Sequence, residues 1–145
     1  MKTIIRIIEE AGGLAGSRYI PINNEPWMRL VIEVLAESGP DGLPVVSVCH
    51  YGEQNSDLMR DPEVLFEAVI NDGLLQELRP FYFRNDYVGI EKWARQRSDR
   101  GELICKSGEV RELEQFAQLW DRNLDQQGFL EAFRRCRLER DGGSR

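Results

Sequence analysis

The stretch SVCHYGEQNSDLMRDPEVLFEAV, residues 47–69, predicts two strands separated by a polar turn. β-Branched and aromatic residues, which are typical of strands, are concentrated at its two ends. Between them, the segment GEQNSD at 52–57 is rich in turn-forming residues. Because alternate side chains of a strand point to opposite faces, Val48 and His50 are expected on one face of the sheet and Cys49 on the other.

Further strand patterns lie on both sides of this stretch. Residues 27–37, WMRLVIEVLAE, fit helical spacing as well as a strand, but the β-branched run VIEV favours a strand. Downstream, NDG at 71–73 separates two apolar runs and is typical of a hairpin turn. The segment YVGIEKWARQ at 87–96 can pair again, so the sequence predicts an antiparallel meander sheet of about five strands.

Both ends of the chain show helical rather than strand periodicity. Near the N-terminus, apolar residues recur at helical spacing until Gly12 and Gly13 end the pattern, and they are Met1, Ile4, Ile5, Ile8 and Ala11. The C-terminal apolar residues with this spacing are Leu113, Phe116, Ala117, Trp120 and Leu124, followed after Gly128 by Phe129, Phe133 and Cys136. The sequence therefore predicts an α+β domain, with an N-terminal helix and one or two C-terminal helices packed on one face of the sheet.

Length and composition are those of one soluble domain. The chain has 145 residues, of which 41% are hydrophobic and 30% are charged. No apolar run approaches the roughly 18 residues that a membrane span requires. Arg6, Glu9 and Glu10 interrupt the apolar N-terminus, so a signal peptide is not predicted. We expect a single cytoplasmic domain over 1–145, with a flexible basic tail at 138–145 and no membrane partner.

Charge and cysteine content argue against two further classes of protein. The net charge of −6 disfavours sequence-independent binding to nucleic acid, because such binding depends on neutralising phosphates. The cysteines, Cys49, Cys105 and Cys136, are odd in number and far apart. They predict reduced thiols rather than a disulfide framework or a zinc site.

The candidate functional loop comprises His50, Glu53, Asn55, Asp57 and Asp61. Carboxylate and amide oxygens are suitable ligands for a hard divalent cation such as Mg²⁺ or Mn²⁺. His50, Asp57 and Asp61 could hold such an ion if the turn folds back on its strand. The same residue types are typical of an ordinary turn, in which their side chains bond local backbone N–H groups. The sequence favours the turn, and no cofactor is predicted.

A second polar patch, Arg84, Asn85 and Asp86, follows an apolar strand. Asn85 and Asp86 would join the candidate loop if the two strands lie side by side. Arg84 and Asp86 share one strand face, which predicts either an ion pair or an exposed recognition patch. Asp86 with Glu91 and Lys92 does not match a metal-dependent nuclease, because adjacent strand residues point to opposite faces.

Aromatic residues interleaved with arginines give the same strand some likeness to a sheet that stacks nucleic-acid bases. These aromatic residues are Phe81, Tyr82, Phe83 and Tyr87. The acidic surroundings would repel RNA, so a nucleic-acid interface is the weakest of the functional interpretations. Phe81 and Phe83 are expected to face the helices as core residues.

Four blocks of the chain together resemble a bacterial domain family of unknown function that is often carried by phages, plasmids and other mobile elements. They are MRLVIE at 28–33, SVCHYGEQNSDLMRDPE at 47–63, FYFRNDYVGIE at 81–91 and WDRNLDQQGF at 120–129. The resemblance implies a mobile-element or host-interaction setting and carries no assigned activity. Ser56 departs from the family pattern, which usually has glycine there, and glycine would supply the positive φ of a tight turn.

Two classes of function follow from these observations. The favoured hypothesis is a non-enzymatic interaction domain that binds a protein partner, in the setting of a mobile element and its host. The alternative is a divalent-metal-dependent enzyme of hydrolase type that uses the loop from His50 to Asp61. A sheet with open edges could also pair with a second copy, so a homodimer is a further expectation.

Overall fold

The computed structural model describes residues 1–16 and 18–143. Within these residues the α+β prediction is confirmed. Along the chain, one helix precedes an antiparallel six-stranded meander, a two-stranded ladder follows the meander, and two helices come last. The main elements are α1 (Lys2–Glu10), β1 (Tyr19–Asn24), β2 (Trp27–Ser38), β3 (Pro44–Gln54), β4 (Asp57–Asn71), β5 (Leu74–Asn85) and β6 (Ile90–Trp93). The ladder and C-terminal helices are β7 (Arg95–Arg97), β8 (Leu103–Cys105), α2 (Ser107–Gln126) and α3 (Phe129–Gly143).

Several finer expectations are also answered. Residues 27–37 lie in β2, so the ambiguous segment is a strand. The sheet has one strand more than about five, because Tyr19–Asn24 pairs with β2. α3 includes residues up to Gly143, whereas Ser144 and Arg145 lie outside the described residues, so the flexible tail at 138–145 stays a prediction. No helix in the described part of the chain is both long and apolar enough to cross a membrane.

The main core lies between the helices and one face of the sheet. Alternate residues of the central strands, such as Val48 and Val64, are fully buried there beside Ile4 of α1 and Leu124 of α2. Burial of a side chain of this size stabilises the fold by about 1.5–3 kcal/mol relative to exposure. A polar contact reinforces the packing of α1 on α2, because the backbone N–H of Thr3 donates to Oδ1 of Asp121 at 3.1 Å. The N–H groups in the first turn of a helix have no partner within the helix, and Asp121 supplies one.

Two-residue turns close the central hairpins. Asn55 and Ser56 join β3 to β4 with φ of 53° and 71°, and Asp72 and Gly73 join β4 to β5 with φ of 51° and 78°. Two successive positive φ angles match the right-handed twist of the flanking strands. The hairpin predicted at 71–73 is confirmed, and the turn at Ser56 is tight although the residue is not glycine.

The second face of the sheet carries no helix in the described residues, and a loop covers only part of it. Glu67 of β4 is fully buried on this face and accepts hydrogen bonds from the backbone N–H groups of Asp41 and Leu43, at 2.9 and 3.2 Å. Arg95 of β7 donates to the same carboxylate at 3.0 Å. This buried ion pair holds the β2–β3 loop and β7 against the sheet.

A bulge in β5 changes the expected orientation of one aromatic residue. Tyr82 pairs with Leu65, but the next pair along the ladder is Pro80 with Phe66, so Phe81 is the extra residue. Phe81 therefore packs with Leu65 on the second face. Phe83 faces the helices, where its ring meets Phe116 edge-on at 5.4 Å between centroids. The expectation that both phenylalanines face the helices is wrong for Phe81.

Candidate functional site

His50 is a core residue on the helix-covered face. Its ring centroid lies 5.6 Å from that of Trp120 in α2 and 5.5 Å from that of Phe129 in α3. Nδ1 lies 3.1 Å from the carbonyl oxygen of Met28, to which it donates a hydrogen bond. Burial lowers the pKa of His50, so the ring is neutral at physiological pH. Between two aromatic rings, this imidazole is placed for packing rather than for contact with an ion at the surface.

Asp61 and Asn85 form a polar contact between β4 and β5. The side-chain amide of Asn85 donates to Oδ1 of Asp61 at 2.6 Å, and its carbonyl oxygen accepts from the backbone N–H of Tyr87 at 3.0 Å. Tyr87 then reaches back across the sheet, and its hydroxyl donates to the carbonyl oxygen of Glu53 at 3.4 Å. The β5–β6 turn is therefore fastened to the β3–β4 hairpin.

Asp86 fills the hydrogen-bonding gap that an irregularity in β4 creates. The pairing of β3 with β4 shifts between Cys49 and Tyr51. Oδ2 of Asp86 accepts from the backbone N–H of Arg60 at 2.9 Å and from its Nε at 3.0 Å, and the backbone N–H of Asp86 donates to Arg60 in return. Arg84 donates to Oδ1 at 2.9 Å, so of the two alternatives for Arg84 and Asp86 the ion pair is present.

The ionisation of Asp86 follows from these contacts. Burial opposes the charged form, but the hydrogen bonds from the backbone and side chain of Arg60 and from Arg84 outweigh it. They lower the pKa of Asp86 to about 2. The carboxylate is thus a fixed charge shared by two guanidinium groups, and its bonding to the Arg60 backbone marks it as part of the fold.

The candidate residues are brought together only in part. Asp61, Asn85 and Asp86 meet at the ends of β4 and β5, as expected if the strands lie side by side. Glu53, Asn55 and Asp57 lie at the exposed tip of the β3–β4 hairpin, and His50 is buried beneath the helices. In the described part of the chain, no three His, Cys, Asp or Glu side chains are arranged to hold a metal ion.

A groove on the second face of the sheet was not found from the sequence. We call it the sheet groove; its volume is about 420 Å³, and it crosses β1 to β4. Its lining residues are Tyr19, Arg29, Val31, Glu33, Tyr51, Gly52, Glu53 and Leu58. The alternation of β2 does place Arg29 and Glu33 on the same face of the strand. The sequence does not show, however, which face of the sheet the helices leave uncovered.

The sheet groove is lined by charged groups of both signs and by apolar groups. Arg29, Glu33 and Glu53 form no side-chain ion pair with other described residues. Leu58 is 66% exposed at the rim, and the tyrosines contribute both apolar surface and a hydroxyl. Tyrosine and arginine are among the residues most enriched at protein interfaces.

Two titratable groups of β3 on this face, the Cys49 thiol and the Tyr51 hydroxyl, are held in their neutral forms. Burial raises the pKa of the Cys49 thiol to about 12, and the nearby Glu63 carboxylate adds to this effect. Burial likewise raises the pKa of Tyr51. A thiol is nucleophilic only as the thiolate, so Cys49 is not an activated nucleophile. The groove is thus equipped for recognition by packing, hydrogen bonds and charge.

Comparison with known proteins places the chain in one family. Neither the search of curated proteins nor the search of solved structures found a match. A family model described as a domain of unknown function, DUF6908, matches residues 2–130, which include the sheet, α1, α2 and the start of α3. The chain therefore belongs to the DUF6908 family of domains of unknown function.

Proposed function

We propose that this domain is a non-enzymatic interaction module that binds a protein partner in the sheet groove. The observation that carries the proposal is the set of charged side chains in a concave surface that form no ion pair among the described residues, namely Arg29, Glu33 and Glu53. A partner of matching chemistry presents a carboxylate to Arg29 and a basic group to the two glutamates. Its apolar residues cover Leu58, which is exposed at the rim.

The balance of charge in the groove favours a protein over a nucleic acid. Protein surfaces that bind nucleic acid require an excess of basic groups, because their affinity comes mainly from phosphate contacts. In the groove, Arg29 is accompanied by Glu33 and Glu53, which would repel phosphates. Mixed charges around apolar groups are instead the usual composition of a protein interface, in which complementary pairs fix orientation and exclude wrong partners.

The cellular setting is part of the same proposal. The resemblance of the four sequence blocks to domains of mobile elements supports a partner encoded by such an element or by its host. A cytoplasmic location is consistent with that setting.

Site-specific photo-crosslinking in the native host tests the proposal. A photoreactive amino acid replaces Leu58 at the groove rim, and a matched control replaces Leu138, which is 71% exposed on α3. We expect a discrete protein adduct from position 58 that is absent from position 138. Introducing Arg29→Glu should remove the adduct, whereas Arg111→Glu, the same charge change at an exposed site on α2, should leave it intact.

Other outcomes would contradict the proposal. The same adducts from both positions, or an adduct that survives Arg29→Glu, would show that the groove is not the contact surface. An adduct that nuclease treatment removes would instead support a nucleic-acid interface. Thermal melts of each variant establish that loss of the adduct does not result from unfolding.

A further inference from the structure

A second concave surface lies at the opposite edge of the sheet, between β6 and α2. We call it the edge cleft; its volume is about 220 Å³. Its lining residues are Phe83, Ile90, Lys92, Ala94, Glu109, Glu112, Leu113 and Phe116. The floor is largely apolar, because Ile90 of β6 and Ala94, which follows the strand, line it together with Leu113 and Phe116 of α2.

One carboxylate oxygen in this cleft has no hydrogen-bond partner in the part of the chain that the structure describes. Oε2 of Glu109 is buried and forms no hydrogen bond within the described residues. A buried acceptor of this kind is unfavourable when it is left unpaired, and more so when it is charged. Lys92 also lines the cleft but forms no ion pair with Glu109. A basic ligand group that reaches Oε2 would therefore satisfy it.

The strand beside the cleft is an open edge. β6 is the last strand of the main sheet and pairs only with β5 among the described residues. The backbone N–H of Ala94 donates to Phe81 at 2.9 Å, so by alternation the backbone groups of Ile90 and Lys92 face β5. Those of Glu91 and Trp93 then face outward, where an added strand can pair with them.

Exposed apolar side chains continue this edge. Val88 is 64% exposed in the turn before β6, and Ile90 is 39% exposed within it. Open edges usually carry protection against pairing, such as charged or very short strands. β6 is short, Ile90–Trp93, so the edge can pair only with a short extended segment.

We propose that the edge cleft binds an extended peptide segment of a partner protein, which adds to β6 as a further strand and inserts a lysine or arginine side chain toward Glu109. Backbone pairing with Glu91 and Trp93 supplies affinity, and the half-buried Glu109, whose Oε2 is unpaired among the described residues, supplies selectivity for a basic residue. The aliphatic stem of that residue packs on Ile90 and Phe116 while its head group reaches Oε2. The cleft is separate from the sheet groove, so this inference does not depend on the proposed function.

Selection from a displayed library of short random peptides tests this inference with the intact chain as bait. We expect selected peptides to carry a lysine or arginine among β-branched residues. Glu109→Gln removes the charge with little change of shape and should weaken their binding at least about tenfold, as expected for loss of a charge-assisted contact of about 1.4 kcal/mol or more. Glu114→Gln, the same change at an exposed site on α2 outside the cleft, should leave binding unchanged.

A second pair of variants tests the backbone contact. Glu91→Pro removes an outward N–H without disturbing the ladder with β5 and should abolish binding. Glu91→Ala serves as its control, because both changes remove the hydrogen bond from the Tyr82 hydroxyl at 2.7 Å. Equal binding by Glu91→Pro and Glu91→Ala would overturn the proposal. So would selected peptides without basic residues, equal binding by the Glu109→Gln and Glu114→Gln variants, or a library that yields no binder.

Discussion

Removal of the buried carboxylate of Glu67 should destabilise the domain more than any single change of a surface ion pair. The side chain is 0% exposed, and it holds two backbone N–H groups and Arg95, whose own side chain is 11% exposed. In Glu67→Ala the N–H groups of Asp41 and Leu43 lose their acceptor, and Arg95 keeps its ion pair with Asp41, at 2.7 Å. Breaking a buried pair of this kind costs about 3–5 kcal/mol.

Urea unfolding measures this loss directly, and a thermal melt checks it. For a chain of this length we expect the midpoint temperature of Glu67→Ala to fall by roughly 2–4 °C for each kcal/mol lost. Glu77→Ala is the control, because its contact with Arg79 at 3.3 Å joins two side chains that are 53% and 46% exposed. Such a pair contributes about 0–1 kcal/mol.

A double-mutant cycle separates the ion pair from the loop contacts. Arg95→Ala leaves Glu67 with its two backbone donors, so the single changes should not be additive and should couple by about 0.5–3 kcal/mol. A Glu67→Ala protein within about 1 kcal/mol of the parent would refute the reasoning, since a loss that small is typical of an ordinary surface change. Strict additivity in the cycle would separately refute direct coupling between the two charges.

Three further predictions concern the β3–β4 hairpin and its contacts. Ser56→Gly should stabilise the protein by about 0.5–1 kcal/mol in urea unfolding, because φ at this position is 71°; Ser47→Gly in the strand should instead destabilise it. The parent should lose stability as the pH falls from about 4 to about 2. The pKa of Asp86 is lowered from 3.8 to about 2, so its stabilising contribution is fully present only above the higher value. An Asp86→Asn protein that shows the same loss would contradict this. Mn²⁺, Mg²⁺ and Zn²⁺ should leave the melting temperature of the parent unchanged, because His50 is engaged in the core and Asp57 lies at the exposed tip; a metal-specific rise that Asp57→Ala removes would revive the enzyme hypothesis.

The part of the fold that could be predicted follows mostly from the periodicity of apolar residues in the sequence. Alternation correctly separated Val48 and His50 from Cys49, and the helical spacing of Trp120 and Leu124 identified the buried side of α2. These patterns are local, because each follows from the geometry of one element. In α1 the same reasoning was less complete, since Ile7 is fully buried although it lies outside the predicted stripe.

Irregular pairing explains most of what the sequence could not predict. The bulge at Phe81 turns one aromatic ring to the second face, and the shifted register near Arg60 creates the need for Asp86. Both depend on how a strand meets its neighbour, which no local pattern specifies. The burial of Glu67 likewise depends on the β2–β3 loop and on β7. These two segments are far apart along the chain and meet only in the folded domain. The open face of the sheet was unpredictable for the same reason.

This difference separates the residues that preserve the fold from those that are available for binding. His50, Asp61, Asn85 and Asp86 form the conspicuous polar pattern of the sequence, but each is engaged within the fold, either in the core or beside the shifted register. Their substitution should alter stability and any binding together, so loss of binding in such variants would not identify a contact surface. Arg29 forms no ion pair with another described side chain, so its charge can be reversed at little cost to the stability of the fold. A variant at that position therefore distinguishes binding from stability, whereas a variant in the polar pattern does not.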